Sequence, residues 1–139
     1  MGVIEPSTPE PMLSIKTFAP IASIWGISEM SWLKWQSGRQ ESGYSKLLLL
    51  QGKKFDFWLL RFTEGSCINW HVDKVYAGRH FRLNVYVKSA EIGGEFRTTG
   101  SIIKNRFFCL FRPDIHRHSV TMVNKGSRYV LSFGFVLKE

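Results

Sequence analysis

From residue 44 to its end the chain is a succession of short segments dominated by β-branched and aromatic residues: "YSKLLLL", "KFDFWLLRF", "SCINWHVD", "FRLNVYVK", "GEFRTT", "RFFCLF", "HSVTMV" and "RYVLSFGFVL". Clusters of Gly, Asn, Lys and Asp separate them at near-regular intervals, which confines each segment to a few extended residues. Eight short strands in such a series suggest a mainly β fold, a β-sandwich or jelly roll. One stretch departs from this texture. In "IASIWGISEMSWLKWQ" (21–36), Ile21, Ile24, Trp25, Ile27 and Trp32 recur at roughly helical spacing, and Gly38 lies past the end. That pattern predicts an N-terminal helical segment of one or two turns.

The 139 residues suffice for one domain with a real core, and there is neither an internal repeat nor a low-complexity tract. "MGVIEPSTPEPM" (1–12), with three prolines and two glutamates, reads as a flexible lead-in to a single domain over 13–139. No apolar run reaches the roughly 18 residues that span a bilayer. No basic stretch followed by an apolar one marks a secretory leader, so no membrane partner is expected. Cys67 and Cys109 are too few and too far apart for a zinc ribbon or a disulfide framework. An intracellular, cytoplasmic setting follows most simply. Charge is unevenly placed within the net +8: residues 1–73 carry seven basic and seven acidic side chains, residues 74–128 eleven basic and three acidic. A basic half of this kind suits a nucleic-acid partner, an acidic small substrate, or solubility alone.

The chemistry concentrates in "INWHVDKVY" (68–76). On a strand, His71 and Asp73 project to one face and Val72 to the other. Such a pair is either a hydrogen-bonded surface couple or two ligands of one metal ion. Forty-seven residues after His71 comes His118, and ten residues further Arg128, in the pattern H-x-V-x-x-V-x-x-G-x-R. Two imidazoles and one carboxylate, with the remaining positions open, form the facial triad of mononuclear non-haem Fe(II) oxygenases. His118, Val120, Val123, Gly126 and Arg128 describe a strand, a turn and a returning strand that would bring the arginine back alongside the histidine. There it could grip a carboxylate through two parallel hydrogen bonds.

In these features the sequence resembles the 2-oxoglutarate- and Fe(II)-dependent dioxygenases, particularly their prolyl-hydroxylase-like branch. The resemblance runs over about residues 55–137 and rests on "LLRFTEGSCINWHVD", "RHFRLNVYVK", "GGEF" and "HSVTMVNKGSRYVLSFGF", which occur in the family's order. It implies a double-stranded β-helix (jelly-roll, cupin-like) with His71, Asp73 and His118 as Fe(II) ligands. It also implies 2-oxoglutarate as co-substrate and O2 as oxidant, with release of succinate and CO2. Arg128 would bind the distal carboxylate of 2-oxoglutarate, Tyr86 would donate its hydroxyl to the same group, and Asn84 would face into the barrel beside it. Arg82 continues that alternation, and together with Arg79 and Tyr76 it is a candidate substrate contact.

Two further expectations concern neighbouring histidines. The register favours His118 over His116 as the ligand, and His80 reads as a rim or surface residue. Trp70 should face away from the ligands, into packing between sheet and helix. Forty-seven residues between the motif histidines is short for this branch, so a lid would come from the 74–79 loop, the 37–44 loop or a partner chain. The prolyl-hydroxylase-like motifs point to hydroxylation of a protein or peptide side chain, and the skewed charge points to a nucleic acid or nucleotide. A non-catalytic cupin-like module is the rival from another class. Its metal sites usually show His-x-His followed closely by Glu, whereas here no glutamate follows before Glu91. Oligomeric state is left open by the sequence.

Overall fold

A computed structural model describes residues 33–39 and 42–138. The 1–12 lead-in, and most of the predicted helical segment, lie outside these residues. The end of that segment is different from expectation: Trp35–Ser37 is a strand, β1, paired antiparallel with β2 (Ser45–Gln51). All the regular structure among the described residues is β: β3 (Phe55–Phe62), β4 (Ile68–His71), β5 (Arg79–Lys88), β6 (Ile92–Gly93), β7 (Phe96–Thr98), β8 (Ile103–Lys104), β9 (Phe108–Phe111), β10 (His118–Val120), β11 (Val123–Lys125) and β12 (Arg128–Leu137). No helix among them is long and apolar enough to cross a membrane.

The strands form a seven-stranded sheet in the order β1-β2-β3-β12-β5-β9-β8, a three-stranded sheet β4-β10-β7, and a two-stranded ladder β11-β6. This is the jelly-roll arrangement: the chain repeatedly crosses from the large sheet to the small ones. The last strand, β12, is the keystone of the large sheet. It pairs along its length with β3 on one side and β5 on the other. Its burial alternates strictly, with Arg128, Val130, Ser132 and Gly134 buried and the residues between them half-buried. The period-two pattern of a strand explains this: "RYVLSFGFVL" sends one set inward and an aromatic set outward. Outward, Phe135 stacks on Phe81 at 5.3 Å and Phe133 meets Phe57 edge-on at 6.1 Å. Cys109, on β9, is fully buried as a small apolar side chain.

Inward, Tyr44, Phe62, Val120, Val123 and Val130 form a core cluster joined by Leu60, Ile68, Tyr86, Ala90 and Phe96. Tyr44 and Phe62 stack with ring centroids 4.9 Å apart, a contact worth about 0.5–1.5 kcal/mol beyond the area it buries. The His118–Arg128 hairpin expected from the sequence is not formed. β10 pairs with β4 and β7, β11 with β6, and β12 with β3 and β5. The chain crosses sheets at the Gly126 turn, where φ is 81° and the backbone N–H donates to Glu64 Oε1 at 3.2 Å. Arg128 therefore lies on the large sheet rather than beside the strand that carries His118.

Gly93 and Gly94 both take left-handed backbone angles, with φ of 77° and 67°. At Gly93 a Cβ would also stand 2.0 Å from the carbonyl oxygen of Met122. Gly65 has an equally left-handed φ of 85° but no atom near its missing Cβ. Gly65→Ala should therefore cost about 1–2 kcal/mol, the backbone penalty alone. Gly93→Ala adds a backbone clash and should cost at least about 1–3 kcal/mol more. Urea unfolding of the two variants checks this order; equal losses would contradict it.

Candidate metal centre and its cavity

His71 closes β4 and His118 opens β10, and the two are directly opposed across the antiparallel pair. Their rings sit 4.2 Å apart, centroid to centroid, inclined at 57°. Asp73 reaches them in a way the sequence did not suggest. It lies past the end of β4, and its N–H leaves the ladder to donate to the carbonyl of Pro113 at 2.7 Å. The carboxylate still turns to the same side: Oδ1 is 3.4 Å from His71 Nε2 and Oδ2 is 3.6 Å from His118 Nε2. One donor atom from each of the three residues lies within 4.8 Å of the others.

The tautomers follow from the partners. His71 Nδ1 is 2.7 Å from the carbonyl oxygen of Asn69, and His118 Nδ1 is 3.0 Å from that of His116. A carbonyl can only accept, so each Nδ1 carries the proton and each Nε2 presents a lone pair toward Asp73. This is the usual support for a metal-bound histidine: the outer nitrogen is tied down and the inner one is aimed. Burial raises the Asp73 carboxyl. A second proton on either imidazole would instead donate to it from Nε2; that hydrogen bond and charge, His118's first, outweigh burial and hold the carboxyl below the usual carboxylate range. The donor set of two imidazoles and one carboxylate fits a divalent transition metal with coordination positions left over. His116 takes no part, since its ring instead covers Gly100, where a Cβ would lie 2.4 Å from it.

A cavity of about 330 Å3 opens from the triad between the sheets, at the small end of the range for ligand sites. Leu60, Phe62, Ile68, Val120 and Val130 supply apolar wall. Arg128 stands away from the triad. It neighbours Val123 and Gly94, where a Cβ would come within 3.5 Å of its Cδ. The triad lies toward the other end of β12, since Phe111, the partner of Arg82 on β5, packs edge-on against the His118 ring at 5.1 Å. Arg128 is 5% exposed, with its guanidinium carbon 5.2 Å from the Phe62 ring centroid and 5.3 Å from that of Tyr86. Among the described residues it has neither a carboxylate nor a hydrogen-bond partner for that side chain, and burial draws its pKa down to about 10.

Other anticipated site residues fall differently. Tyr86 offers Arg128 its ring face and is not among the cavity-lining residues; burial pushes its hydroxyl up to about 12. Asn84 does line the cavity, where its Oδ1 accepts from Ser132 Oγ at 2.7 Å. Arg82 points inward too, but it is not free. It donates to Ser132 Oγ at 2.9 Å and pairs with Asp56 at 3.0 Å. The guanidinium crosses β12 over Gly134, where a Cβ would lie 2.4 Å from Nη2. Arg79 and Tyr76 are exposed and do not line the cavity. Trp70 does face away from the ligands, but it is 45% exposed rather than packed, and the guanidinium of Arg117 lies 5.9 Å from its ring.

Three residues went unanticipated. Arg39, in the 37–44 loop, donates Nη1–H to Asp73 Oδ1 at 2.5 Å. Asp56 was signalled only as an acid at an inward position of "FDFW", and Lys46, 4.6 Å over the Trp58 ring, only as a cation in an apolar strand. His80, expected at the surface, is buried at 9% exposure. Its Nε2 accepts from Arg82 Nη2 at 3.4 Å, which leaves the proton on Nδ1, a buried atom without a partner.

No protein-family model and no curated protein sequence matches the chain. Solved structures do, at low identity. A prolyl-4-hydroxylase from Pseudomonas putida superposes with a TM-score of 0.60 at 12% identity, covering 94% of this chain and 89% of that one. A predicted oxalate decarboxylase from Thermotoga maritima gives 0.57 at 17%, covering 78% and 97%. The viral collagen prolyl hydroxylase of Paramecium bursaria Chlorella virus-1, solved with 2-oxoglutarate, gives 0.53 at 16%, covering 69% and 81%. The fold is thus the jelly roll shared by cupins and prolyl hydroxylases.

His80 yields a pH test. Burial, and then the charge of Arg82, depress its pKa, against weaker opposing effects of Asp73 and Asp56. The unfolded chain takes up this proton near pH 6.5 while the folded chain resists it, so stability is present above that pH and is lost as pH falls below it. His80→Leu should lose less stability than the parent between pH 7 and 5 in urea titrations. Equal losses would contradict the assignment.

Proposed function

We propose that the protein is a 2-oxoglutarate-dependent Fe(II) dioxygenase. The observation that carries this reading is the pairing of a metal-type triad with Arg128, a buried guanidinium lacking a counter-ion among the described residues, in one cavity with both apolar and polar walls. A buried charge is costly unless a partner meets it. A ligand that chelates a metal through one end and presents a carboxylate at the other would satisfy both ends at once, and a 2-keto dicarboxylate has that form.

In this reading His71, Asp73 and His118 hold Fe(II), Arg128 grips the distal carboxylate, and the hydroxyl and amide of Ser132 and Asn84 provide polar contacts between. When bound, the metal and co-substrate supply O2 activation coupled to oxidative decarboxylation, giving succinate, CO2 and an oxidised, hydroxylated substrate. The chain's own part is orientation and exclusion of water by the apolar walls. Arg39 holds Asp73 Oδ1 and leaves Oδ2 turned toward His118. The prolyl-hydroxylase neighbours agree with this reading.

His71→Ala and His118→Ala should each abolish binding of Mn(II) measured by calorimetry. Arg128→Ala should keep the metal and weaken 2-oxoglutarate, since truncating one side of a desolvated charged pair costs about 2–5 kcal/mol. That corresponds to roughly 30-fold or more in Kd. Unchanged affinity in Arg128→Ala would overturn the assignment of that end of the cavity.

A further inference from the structure

Four cations line the cavity, Arg39, Lys46, Arg82 and Arg128, with two carboxylates, Asp56 and Asp73. Arg39 pairs with Asp73 and Arg82 with Asp56. Arg128 and Lys46 are left without a carboxylate among the described residues, and only Arg128 has a part in the oxygenase reading. Lys46 is half-buried on β2, directly opposite Leu60 of β3. Leu60 in turn faces Val130 of β12, so two strand spacings, about 10 Å, separate Lys46 from the strand of Arg128. The lysine ammonium lies 4.6 Å over the ring of Trp58, two residues from Leu60 in the direction of Asp56. Asp56 shares a row with Gly134 and Arg82, the end of the sheet where Phe111 meets His118, whereas Arg128 shares a row with Phe62 at the other end. Lys46 therefore leans toward the metal end and away from Arg128.

We propose that Lys46, aimed by Trp58, is the docking point for an anionic group of the substrate, a carboxylate or phosphate of side-chain size. The inference rests on the oxygenase reading and names a substrate class for it. An aromatic face attracts and orients an ammonium but carries no net charge with which to neutralise it. A lysine that merely covered apolar surface would turn its head out to water, whereas this one is held against a cavity wall. The charge balance points the same way. A divalent metal and a doubly charged keto acid cancel, so the loaded cavity keeps the two positive charges by which its cations exceed its carboxylates. Apolar walls such as Leu60, Phe62 and Val130 strengthen that field by keeping the local dielectric low. The volume, about 330 Å3 before any co-substrate enters, restricts what reaches Lys46 to a small group. A neutral side chain of the same size would leave the ammonium unmet.

The test is calorimetry on the full chain, loaded with Mn(II) and saturating 2-oxoglutarate. The probes are the amides of N-acetyl-aspartate and N-acetyl-phosphoserine, with the neutral N-acetyl-asparagine amide as control. At least one acidic probe should bind about tenfold or more tightly than the neutral one, and which of them does so separates carboxylate from phosphate. Lys46→Met should remove that preference while keeping the parent's affinity for 2-oxoglutarate, which shows that fold and cavity are intact. Lys46→Arg, which retains the charge, should restore most of it. Equal binding of acidic and neutral probes by the parent, or binding of none, would overturn the proposal, as would an acidic preference that survives Lys46→Met. Weaker 2-oxoglutarate binding in Lys46→Met, recovered in Lys46→Arg, would also overturn it, by assigning the lysine to the co-substrate. Failure of the parent to bind 2-oxoglutarate, with Lys46-dependent binding of an acidic probe intact, would instead count against the oxygenase reading alone.

Discussion

Two imidazole lone pairs and a carboxylate converge at one point, and such an arrangement is repulsive unless a cation sits among them. The Nδ1–H bonds to the carbonyls of Asn69 and His116 fix this polarity. The antiparallel pairing of β4 with β10 fixes the distance. The three groups are a demand for positive charge built into the end of the small sheet. Arg39 answers part of it through Asp73 Oδ1; a metal would answer it fully. Arg128 places the opposite demand elsewhere in the same cavity, a buried positive charge that asks for an anion. The core between the small sheet and the large one, where Val120 joins Phe62 and Val130, holds those two demands at a fixed separation.

Much of this was legible in the sequence because it depends on short-range patterns. Alternation in "FRLNVYVK" was enough to place Asn84 and Arg82 on one inward face, since side-chain direction on a strand has a period of two. The spacing of His71, Asp73, His118 and Arg128 was informative because four chemically apt residues fell in one order.

What was hidden depends on long-range contacts. Asp73 was expected on the strand with His71, but its N–H bonds to Pro113, forty residues away in sequence, and it reaches the site from beyond the strand. The hairpin expected between His118 and Arg128 gave way to a sheet crossing, since a strand-turn-strand pattern says nothing about which sheet each strand joins. Arg82 looked available for substrate until Asp56 was seen two strands away in the sheet, reached over Gly134, whose lack of a side chain is what lets the guanidinium pass. His80 is buried for the same reason, as a neighbour of that pair. Arg39 could not be anticipated from spacing, because a loop's position near the site is set by bonds such as Ser66 Oγ to the carbonyl of Gly43.

The central claim is that the triad and Arg128 are two ends of one site for a metal-chelating keto acid. Anaerobic titration of 2-oxoglutarate into the Fe(II)-loaded protein tests it most directly. The account predicts a weak visible charge-transfer band that grows to saturation with co-substrate and is absent with succinate, which lacks the keto group. Bound iron whose spectrum 2-oxoglutarate leaves unchanged would contradict it and leave a metal-binding jelly roll without this chemistry.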